Sequence, residues 1–431
     1  MFYILPHQLY HTIHQLVEHD ELVVLWEHPF YFSRMSFNKK KILLHRHSMK
    51  EFAASLSQKS VKVKYVDHSE IHQFPEIDFR ILDPIDRIPL PKCAKLMENP
   101  GFLLSANDLN DIDTVRFTTG FYPRIQEKAN FLIGQKSQDK HNRQPFPTNK
   151  QSELPALPKL KMDLEESIKY VNANFKTHPG TTDDFVYPTT RKHALLWLND
   201  FLKNRLSEFG PFQDAMVRGE SYMYHSVLSS SLNIGLITPS DVVIRLKKYA
   251  SRAPVQSVEG FFRQLAWREF QRYCYKSSKI HSALSPPASF FGGKGALTRE
   301  WYTGTTGLPP VDECIKKAFL TGYLHHIERL MLMGNIMTLK ALSPVAIHKW
   351  FMEFSIDSYE WVMFQNVYDM VCFNGDGMTT RKPYFTKSNY ILKMSNYDHG
   401  AWSVQWDNLY SAFLKTHKKK LYKYRYHFRL S

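Results

Sequence analysis

Two adjacent histidines followed closely by an arginine stand in the segment TGYLHHIERLMLMGN, Thr321 to Asn335. If the segment is one helix, three-to-four spacing places His326 on the inward stripe, and His325 points about 100° away. Because adjacent helical positions diverge and no HExxH motif is present, the pair predicts no metal site. Two interpretations of His326 stay open, a hydrogen-bonded core histidine or an acid or base in a pocket. Arg329 requires a buried carboxylate if it also points inward.

A run of serine hydroxyls stands in the segment YHSVLSSSLNIGLI, Tyr224 to Ile237, near the start of a helical pattern. Hydroxyls and free backbone N–H groups at a helix N-terminus can hold a pyrophosphate. Ordinary helix capping explains the same serines. Composition alone leaves both interpretations open.

The C-terminal stretch Lys415 to Arg429 contains seven Lys or Arg residues, no acid, and four aromatic residues. Charges that contact phosphate and rings that stack on bases suit nucleic-acid binding. A solvated basic tail is the alternative interpretation.

The composition indicates a globular protein with a polyanionic partner. The chain has 431 residues, 43% of them hydrophobic, and a formal net charge of +15. This length exceeds the usual size of one hydrophobic core, so two domains are expected. Lys and Arg that neutralise phosphates gain affinity through counterion release, so nucleic acid is the first candidate partner and an anionic membrane surface the second.

Neither a membrane segment nor a cysteine framework is predicted. The N-terminal residues lack a signal-peptide pattern, and no run of eighteen apolar residues occurs. The four cysteines lie far apart with no CxxC pair, which predicts reduced thiols rather than disulfides or a metal site. We therefore expect a cytoplasmic monomer, associated with the nucleoid when it is bound to DNA.

Short apolar runs and one long helical pattern open the chain. Strands are predicted at Phe2 to Leu5, Leu22 to Trp26 and Val61 to Val66, with a helix over Lys39 to Leu56. This order predicts a Rossmann-like α/β domain with a parallel sheet over residues 1–124. The first strand is followed by no GxGxxG motif, so an ordinary dinucleotide site is not predicted.

Prolines and polar residues predict a linker over residues 125–164. From residue 165 to 431, apolar residues recur at three-to-four spacing, so the second domain is predicted to be all-α. One of these helical patterns runs without interruption from Ile315 to Leu342.

Four long motifs carry a resemblance to a known family: HSVLSSSLNIGL, VEGFFRQLAWREF, TGYLHHIERLM and DSYEWVMFQNVYDM. With them, the chain resembles the photolyase and cryptochrome superfamily. Within it, the chain is most similar to the prokaryotic (6-4) photolyase branch, also called the iron-sulfur bacterial cryptochromes and photolyases. The likeness extends from the first strand to about Tyr410. It implies an N-terminal α/β domain and a helical domain that binds FAD.

The resemblance also implies which residues surround the FAD. The expected cofactor-binding residues are Ser226, Leu228, Ser229, Glu259, Arg268, Arg329, Asp357 and Met363. Of these, the serines and Leu228 would hold the phosphates, and Asp357 would be the carboxylate that Arg329 requires. A reduced, anionic flavin ring is favoured beside an arginine because the guanidinium stays protonated in a low-dielectric site.

In (6-4) enzymes, to which the chain is similar, the flavin passes an electron to a flipped pyrimidine pair and a histidine supplies a proton. The residues that match catalytic or lesion-pocket positions are His326, His325, Gln264, Trp267 and Tyr384. An imidazole suits the proton transfer because its pKa lies near the working pH. A glutamine at position 264, where cyclobutane-dimer photolyases usually have glutamate, favours the (6-4) lesion.

Four aromatic residues match electron-transfer positions of the branch: Trp350, Tyr302, Tyr359 and Tyr390. The resemblance implies a tryptophan at the distal position, which is Tyr302 in this chain. A tyrosine is harder to oxidise without losing its proton, so we expect slower photoreduction or a different end of the relay.

Three departures from the branch change the expected cofactors. Its iron-sulfur cysteines align with Pro310, Asp398, Ala401 and Val404, so no cluster is expected and Trp402 and Trp406 would fill the space.

The branch's ribityl-lumazine antenna is associated with a GDQL start and a glutamate after the second strand. This chain has PHQL, Pro6 to Leu9, and Tyr31, so the antenna is doubtful. Finally, Met363 stands where an acid would face flavin N5, so a neutral flavin radical should form less readily.

These observations support one hypothesis more than two others. The leading hypothesis is light-driven repair of UV-damaged DNA, most of all the (6-4) photoproduct. The second is a cryptochrome-like blue-light photosensor with FAD and no repair. The third is a DNA-binding protein that keeps the fold and has lost the flavin, which a colourless purified protein would support.

Overall fold

A five-stranded parallel sheet forms the N-terminal part of the molecule in a computed structural model that describes residues 1–112, 116–131 and 141–428. The strands are β1 Phe2–Ile4, β2 Val23–Trp26, β3 Val63–Val66, β4 Phe79–Leu82 and β5 Ala94–Met97, in the order β3-β2-β1-β4-β5. The three predicted strands and their parallel pairing are confirmed, since β2 pairs in parallel with both β1 and β3.

Two strands were not predicted from the sequence. Both β4 and β5 are four residues long, and each contains a cation, Arg80 or Lys95, that interrupts the apolar run. In β5 the Lys95 and Leu96 side chains are exposed because this strand lies at the edge of the sheet. The central strands β1 and β2 are fully buried, as expected of parallel strands that are covered on both faces.

Helices connect and cover the sheet. Their bounds are α1 Ile13–Leu16, α2 Pro29–Phe32, α3 Lys39–Ser57, α4 Ala106–Asn110 and α5 Tyr122–Lys128. The helix α3 starts at Asn38, whose side chain accepts a hydrogen bond from the Lys40 backbone N–H. The basic run at its start is buried, and the Lys41 ammonium donates to Ser358 of the helical region. The two regions therefore share a polar contact.

The rest of the described chain is helical. The α-helices are α6 Glu165–Asn174, α7 Arg191–Asp200, α8 Leu206–Phe212, α9 Ser229–Asn233, α10 Pro239–Tyr249, α11 Val255–Lys276, α12 Ser278–Leu284, α13 Glu300–Thr303, α14 Pro309–Thr321, α15 Asn335–Leu339, α16 Pro344–Phe354, α17 Glu360–Gln365, α18 Ser388–Met394, α19 Ala401–Thr416, α20 Lys418–Leu421 and α21 Arg425–Phe428. The long helix α11 packs against α8 and α17 at the centre of this region. The predicted fold class, an α/β region followed by a helical region, is confirmed.

Several helices contain wider or tighter turns. The π-helical segments are Phe117–Phe121, Phe201–Arg205, Glu328–Gly334 and Asn366–Val371, and the 3₁₀ segments are Thr148–Glu153, Ala250–Arg252 and Tyr422–Tyr424. In the part of the chain that the structure describes, no helix is long and apolar enough to cross a membrane.

The predicted linker contains some regular structure. The helix α5 continues into it, a 3₁₀ turn covers Thr148–Glu153, and α6 begins at its end. Residues 132–140 of the predicted linker lie outside the described residues. The division into residues 1–124, 125–164 and 165–431 stays a prediction.

The uninterrupted helix predicted from Ile315 to Leu342 is wrong. The helix α14 ends at Gly322, which has a φ of +72° and donates its N–H to the Ala318 carbonyl at 2.8 Å. This left-handed conformation suits glycine and terminates the helix. Tyr323 to His325 follow without helical structure, and the π-helical segment Glu328–Gly334 then leads into α15.

Candidate active site

A half-buried arginine and a buried carboxylate form an ion pair in the helical region. Two guanidinium nitrogens of Arg329 donate to the two carboxylate oxygens of Asp357, at 3.0 and 3.2 Å. Asp357 also accepts from the hydroxyls of Ser229, at 2.5 Å, and Ser355. Burial alone would raise the pKa of Asp357, but the Arg329 charge and these hydrogen bonds hold the pKa below its usual value. The inward arginine therefore has the carboxylate that the sequence required.

A second arginine joins the same network through Asn233, a residue that sequence reasoning missed. The Asn233 amide donates to the Asp357 backbone carbonyl at 2.9 Å and accepts from Arg268 Nε at 3.0 Å. Burial lowers the pKa of Arg268, whose guanidinium also donates to the Gly101 carbonyl at 2.5 Å. A signal was present in the sequence, because Asn233 stands four residues after Ser229 and shares its face of α9.

The serine run provides hydroxyls with and without partners. Ser226 and Ser229 are partly exposed, Leu228 is buried, and Val227 between them has a φ of +52°. Among the described residues, the buried hydroxyls of Ser230 and Ser231 are without a hydrogen-bond partner. A buried hydroxyl left unpaired costs about 1–3 kcal/mol, so such groups suit acceptor oxygens of a bound ligand. They stand directly after the predicted Ser229.

The environments of His325 and His326 are the reverse of those predicted. His325 is buried, whereas 40% of the His326 side chain is exposed, so the prediction of His326 on an inward stripe is wrong. The cause is the break at Gly322, which removes the helical register on which the prediction depended. His326 Nε2 lies 3.2 Å from a carboxylate oxygen of Asp214. Of the two interpretations of His326, its exposure and this carboxylate favour an acid or base in a pocket.

A third imidazole, His225, lies against this pair and was also missed. Its ring stacks on His325 with the centroids 4.6 Å apart and 13° between the planes, and His326 meets it edge-on at 5.8 Å. Burial lowers the pKa of both His225 and His325 well below the usual value, so both are neutral. His325 Nε2 lies 3.6 Å from a Glu328 carboxylate oxygen, but Glu328 is also paired with Lys317. His326 is the exposed member of the cluster, and its carboxylate partner is Asp214.

Asp214 contacts two residues besides His326. One of its carboxylate oxygens lies 3.5 Å from Arg143 Nε, and the hydroxyl of Tyr390 donates to its side chain. Burial, followed by the charge of Asp214, raises the pKa of Tyr390. Tyr384, the other predicted tyrosine, is partly buried, and burial raises its pKa. No sequence pattern indicated Asp214, because it stands 112 residues from its partner.

Several predicted residues line up on α11. Gln264, Trp267 and Arg268 are three and four residues apart and share one face of the helix, and Glu259 is buried one turn earlier. The Gln264 amide donates to the Gly260 carbonyl at 3.4 Å. The indole of Trp267 stacks on Phe117 with 3.9 Å between the centroids. One face of this ring is therefore already covered. Met363, on α17, is buried.

The structure joins two of the predicted electron-transfer residues. Tyr302 and Trp350 both contact Phe319, at ring-centroid distances of 5.6 and 5.9 Å. Trp350 also contacts Phe354 at 4.6 Å, and the Arg329 guanidinium lies 5.4 Å from that ring. These contacts form a row of rings from the half-buried Tyr302 to the Arg329–Asp357 pair.

Tyr359 contacts the N-terminal region instead of this row. Its hydroxyl lies 2.7 Å from His45 Nε2, and its ring lies 5.9 Å from that of Tyr31. Tyr390, described above, contacts Asp214. The predicted relay residues therefore lie in three places.

The antenna positions, His7 and Tyr31, contact each other. Their ring centroids are 4.6 Å apart, the Tyr31 hydroxyl lies 3.4 Å from His7 Nε2, and Tyr359 packs against both rings. His7 Nε2 also contacts the Pro84 carbonyl at 3.0 Å. All three side chains are buried. They fill the crevice at the carboxyl end of β1. The strand order changes direction there, with β2 and β3 on one side of β1 and β4 and β5 on the other. Open parallel sheets hold ligands at such a point.

At the aligned cluster positions, Pro310 is buried in α14, whereas Ala401 and Val404 are exposed on α19. Trp402 and Trp406 are buried beside them, and the Trp402 indole donates to the Asp398 carbonyl at 3.0 Å. Over the described ranges, no group of three or more His, Cys, Asp or Glu side chains could hold a metal ion. The absence of a cluster stays a prediction that an iron assay tests.

Two protein families match the chain. Residues 2–89 and 68–187 match the deoxyribodipyrimidine photo-lyase-related protein family. Residues 261–407 match the FAD binding domain of DNA photolyase. The (6-4) photolyase of Agrobacterium fabrum is 33% identical over 288 residues, which cover 64% of this chain and 56% of that relative. The chain thus spans little more than half the length of this curated relative.

Two crystal structures share the fold. A bacterial class III photolyase from Agrobacterium tumefaciens superposes with a TM-score of 0.58 and 14% identity, covering 96% of this chain and 97% of that one. A cryptochrome from Synechocystis gives the same TM-score of 0.58 and 14% identity, covering 96% of this chain and 87% of its own. At this identity the likeness establishes the architecture alone.

Proposed function

Because the chain belongs to the photolyase and cryptochrome superfamily, we propose that it is a light-driven repair enzyme that uses FAD and acts on the (6-4) photoproduct in UV-damaged DNA. The observation that carries the proposal is the His326–Asp214 pair. It combines an imidazole exposed at the surface with a buried carboxylate that can balance a proton.

The residues around Arg329 and Asp357 fit a bound FAD. Arg329 supplies a fixed positive charge beside the site, and Asp357 holds its guanidinium through two hydrogen bonds. The unpaired buried hydroxyls of Ser230 and Ser231 are donors that phosphate oxygens would satisfy. When bound, FAD would supply an electron on absorbing blue light.

The chain's own residues would then handle the proton. When His326 is an imidazolium, its Nε2–H donates to Asp214 and the proton on Nδ1 can pass to the lesion, which leaves a neutral ring that later regains the proton. The negative carboxylate stabilises the imidazolium that forms. His325 and His225, both buried and neutral, would support the ring of His326 without competing for the proton.

The residues at the antenna positions do not fit a ribityl-lumazine. The rings of His7, Tyr31 and Tyr359 pack against one another and fill the crevice at the end of β1. We expect the purified protein to leave the fluorescence polarisation of added ribityl-lumazine unchanged. A rise in polarisation would show that the rings move aside.

Two observations favour the photosensor as a second candidate. Phe117 covers one face of Trp267, the indole expected to pack against a flipped lesion. The row of rings that ends at Arg329 begins with Tyr302, which is hydrogen-bonded to Glu353 at 2.7 Å. A light-driven charge on this row could change a partner contact without any repair.

The test is repair of an oligonucleotide that carries a single (6-4) photoproduct, under blue light with a reductant. We expect light-dependent repair by the native protein, its loss in His326→Ala, and full repair by the control His19→Ala, whose histidine lies far out in solvent. Bound, reduced flavin with a surviving lesion would favour the photosensor. A colourless protein that rebinds no FAD would favour the fold that has lost its flavin.

A further inference from the structure

The basic C-terminal segment packs on the protein. Leu421 is fully buried and Tyr424 nearly so. The Tyr424 ring contacts Phe373 at 5.3 Å, and Phe428 stacks on Phe385 at 4.7 Å with 6° between the planes. Over Lys418 to Phe428, the interpretation as a freely solvated tail is therefore wrong. Arg429, the last residue of the predicted basic stretch, lies outside the described residues.

The opposite side of this segment exposes rings and cations. Tyr422 is 55% exposed and Tyr426 82% exposed. The Arg425 guanidinium lies between them, 4.7 Å from one ring centroid and 4.6 Å from the other. Lys418 and Lys419 are exposed at the start of α20. We name these five residues the C-terminal platform.

Little negative charge faces the platform. The segment itself contains no acid, and Asp376, the carboxylate packed nearest to it, is paired with Lys423 at 2.6 Å. Lys420 donates to the Phe290 carbonyl, so it is directed toward the protein.

Arg425 donates to the Tyr422 carbonyl at 3.3 Å and to the Tyr426 hydroxyl at 3.4 Å, so it holds the two rings together and covers one face of each. Lys418, Lys419 and the other ring faces are the groups that the platform offers to a ligand. A polyanion with flat, apolar groups is complementary to such a surface.

The segment that carries the platform also contacts the part of the chain that contains a predicted pocket residue. Phe385, the ring on which Phe428 stacks, directly follows Tyr384, which was predicted to line the lesion pocket.

We propose that the C-terminal platform binds an unpaired stretch of DNA, with bases stacked on Tyr422 and Tyr426 and phosphates held by Lys418 and Lys419. Paired bases in a duplex cannot offer their faces to exposed rings, whereas unpaired bases can. The choice of DNA over another nucleic acid rests on the proposed function. The binding itself requires neither a lesion, nor light, nor flavin.

Fluorescence anisotropy tests this in the dark with undamaged DNA. The probes are an oligothymidylate of about 20 nucleotides, chosen to exceed the site size of a typical single-stranded binding fold, and an undamaged duplex of equal length. We expect Tyr422→Ala/Tyr426→Ala to weaken binding of the oligothymidylate by on the order of tenfold or more, because each stacked base contributes strongly. Its affinity for the duplex should change less than about twofold, since no stacking is lost there.

A lysine variant tests the charges separately. Lys418→Gln/Lys419→Gln should weaken binding of both DNAs and lower the salt slope for the oligothymidylate by about 1.4, two phosphate contacts at about 0.7 each. The matched control is Lys64→Gln/Lys92→Gln, two exposed lysines of the N-terminal region. It should leave both the affinity and the slope as in the native protein.

Three outcomes would overturn the proposal. One is unchanged oligothymidylate affinity in the tyrosine variant, and another is an equal loss on duplex and single strand. The third is that the platform variants lose binding to phosphatidylserine vesicles while oligothymidylate binding is kept. Circular dichroism melting curves identify a variant that has merely unfolded. If the double tyrosine variant unfolds, the single variant Tyr426→Ala takes its place in the binding measurements. If repair fails while oligothymidylate binding persists, the proposed function is rejected and the proposal for the platform stands.

Discussion

Two polar clusters differ in how burial affects the pKa values of their side chains. One surrounds Asp357 in the helical region, and the other lies in the crevice at the end of β1. In the helical region, the Arg329 charge holds the pKa of the buried Asp357 below its usual value. In the crevice at the end of β1, burial dominates: it lowers the pKa of His7 to about 3 and of Lys41 to about 7, and raises that of Asp86 to about 7.

The difference lies in geometry rather than in burial. Arg329 and Asp357 meet in a bidentate pair, and together with the Ser229 and Ser355 hydroxyls Arg329 outweighs the effect of burial on the pKa of Asp357. Lys41 and Asp86 attract each other without forming a direct ion pair, and Lys41 donates to Ser358. The helical site therefore keeps its charges, and the crevice favours neutral groups. A cofactor held by charge suits the first cluster and not the second.

Breaking the bidentate pair should produce the largest effect. Arg329→Met leaves Asp357 buried without a counter-charge, which should lower the free energy of unfolding by about 3–5 kcal/mol. The variant should also retain little flavin, because the fixed positive charge beside the site is gone. Thermal unfolding and the ratio of flavin to protein absorbance measure the two effects.

The control for this variant is Arg329→Lys, which keeps a charge but not the two-pronged hydrogen bonding. It should fall between the native protein and Arg329→Met in both measurements. Native-like stability and colour in Arg329→Met would mean that the pair contributes nothing, and the contrast between the two clusters would disappear.

The crevice should respond to pH through Lys41. Its pKa is about 7 in the folded protein and near its ordinary value of 10.5 when unfolded. Between these values the unfolded chain binds a proton that the folded chain does not, so the stability it contributes rises with pH across this window, by about 1.4 kcal/mol per unit. The stability of the native protein relative to Lys41→Met should therefore rise from pH 7 to pH 10. Denaturant unfolding at several pH values measures it.

A constant difference between these two proteins across that range would show that Lys41 stays charged when buried. The control Lys64→Met removes an exposed lysine from β3 and should show no such trend. Its side chain is exposed in the folded protein and in the unfolded chain.

Much of the framework could be predicted from sequence, but the partners in the site could not. The apolar runs of β1 and β2 and the length of α3 identified these elements, because buried parallel strands and long amphipathic helices have strong periodicity. The faces of His325 and His326 were interchanged because one glycine, Gly322, ends the helix before them. A single residue with positive φ resets the register, and periodicity does not detect it.

Asp214 and Asn233 show a second limit of prediction from sequence. Both are polar residues whose importance comes from a partner far away in sequence, His326 for the first and Asp357 and Arg268 for the second. Hydrophobic patterning carries no information on such pairs. The Arg329–Asp357 pair was predicted only because the motifs resemble a family in which these positions are known.

The two histidines of the helical site also differ in whether a carboxylate can balance their charge, and this difference gives a third prediction. His326 has Asp214 as a partner, whereas the buried His325 is held neutral. Asp214→Asn removes the charge that stabilises the imidazolium, so repair should fall by about tenfold, equivalent to about 1.4 kcal/mol. Single-turnover repair rates of the variant and the native protein measure it.

Asp407→Asn is a matched control, since Asp407 caps α18 by accepting from Ser388 at 2.8 Å and lies away from His326. A loss of repair by Asp214→Asn that comes with a clearly lower melting temperature would indicate that Asp214 has a structural role and does not assist proton transfer.

The smallest expected effect is the difference in stability between Tyr359→Phe and Tyr31→Phe in the crevice. The Tyr359 hydroxyl lies 2.7 Å from His45 Nε2, whereas the Tyr31 hydroxyl lies 3.4 Å from His7 Nε2, at the limit of a hydrogen bond. Tyr359→Phe should therefore cost about 1–2 kcal/mol, because a buried imidazole nitrogen loses its partner. Tyr31→Phe should cost less than about 0.5 kcal/mol, since His7 keeps the Pro84 carbonyl at 3.0 Å. Denaturant midpoints of the two variants would resolve this difference. If Tyr31→Phe were the more damaging, the ring pair would be held by its hydrogen bond rather than by packing, and a ligand that replaced that bond could then open the crevice.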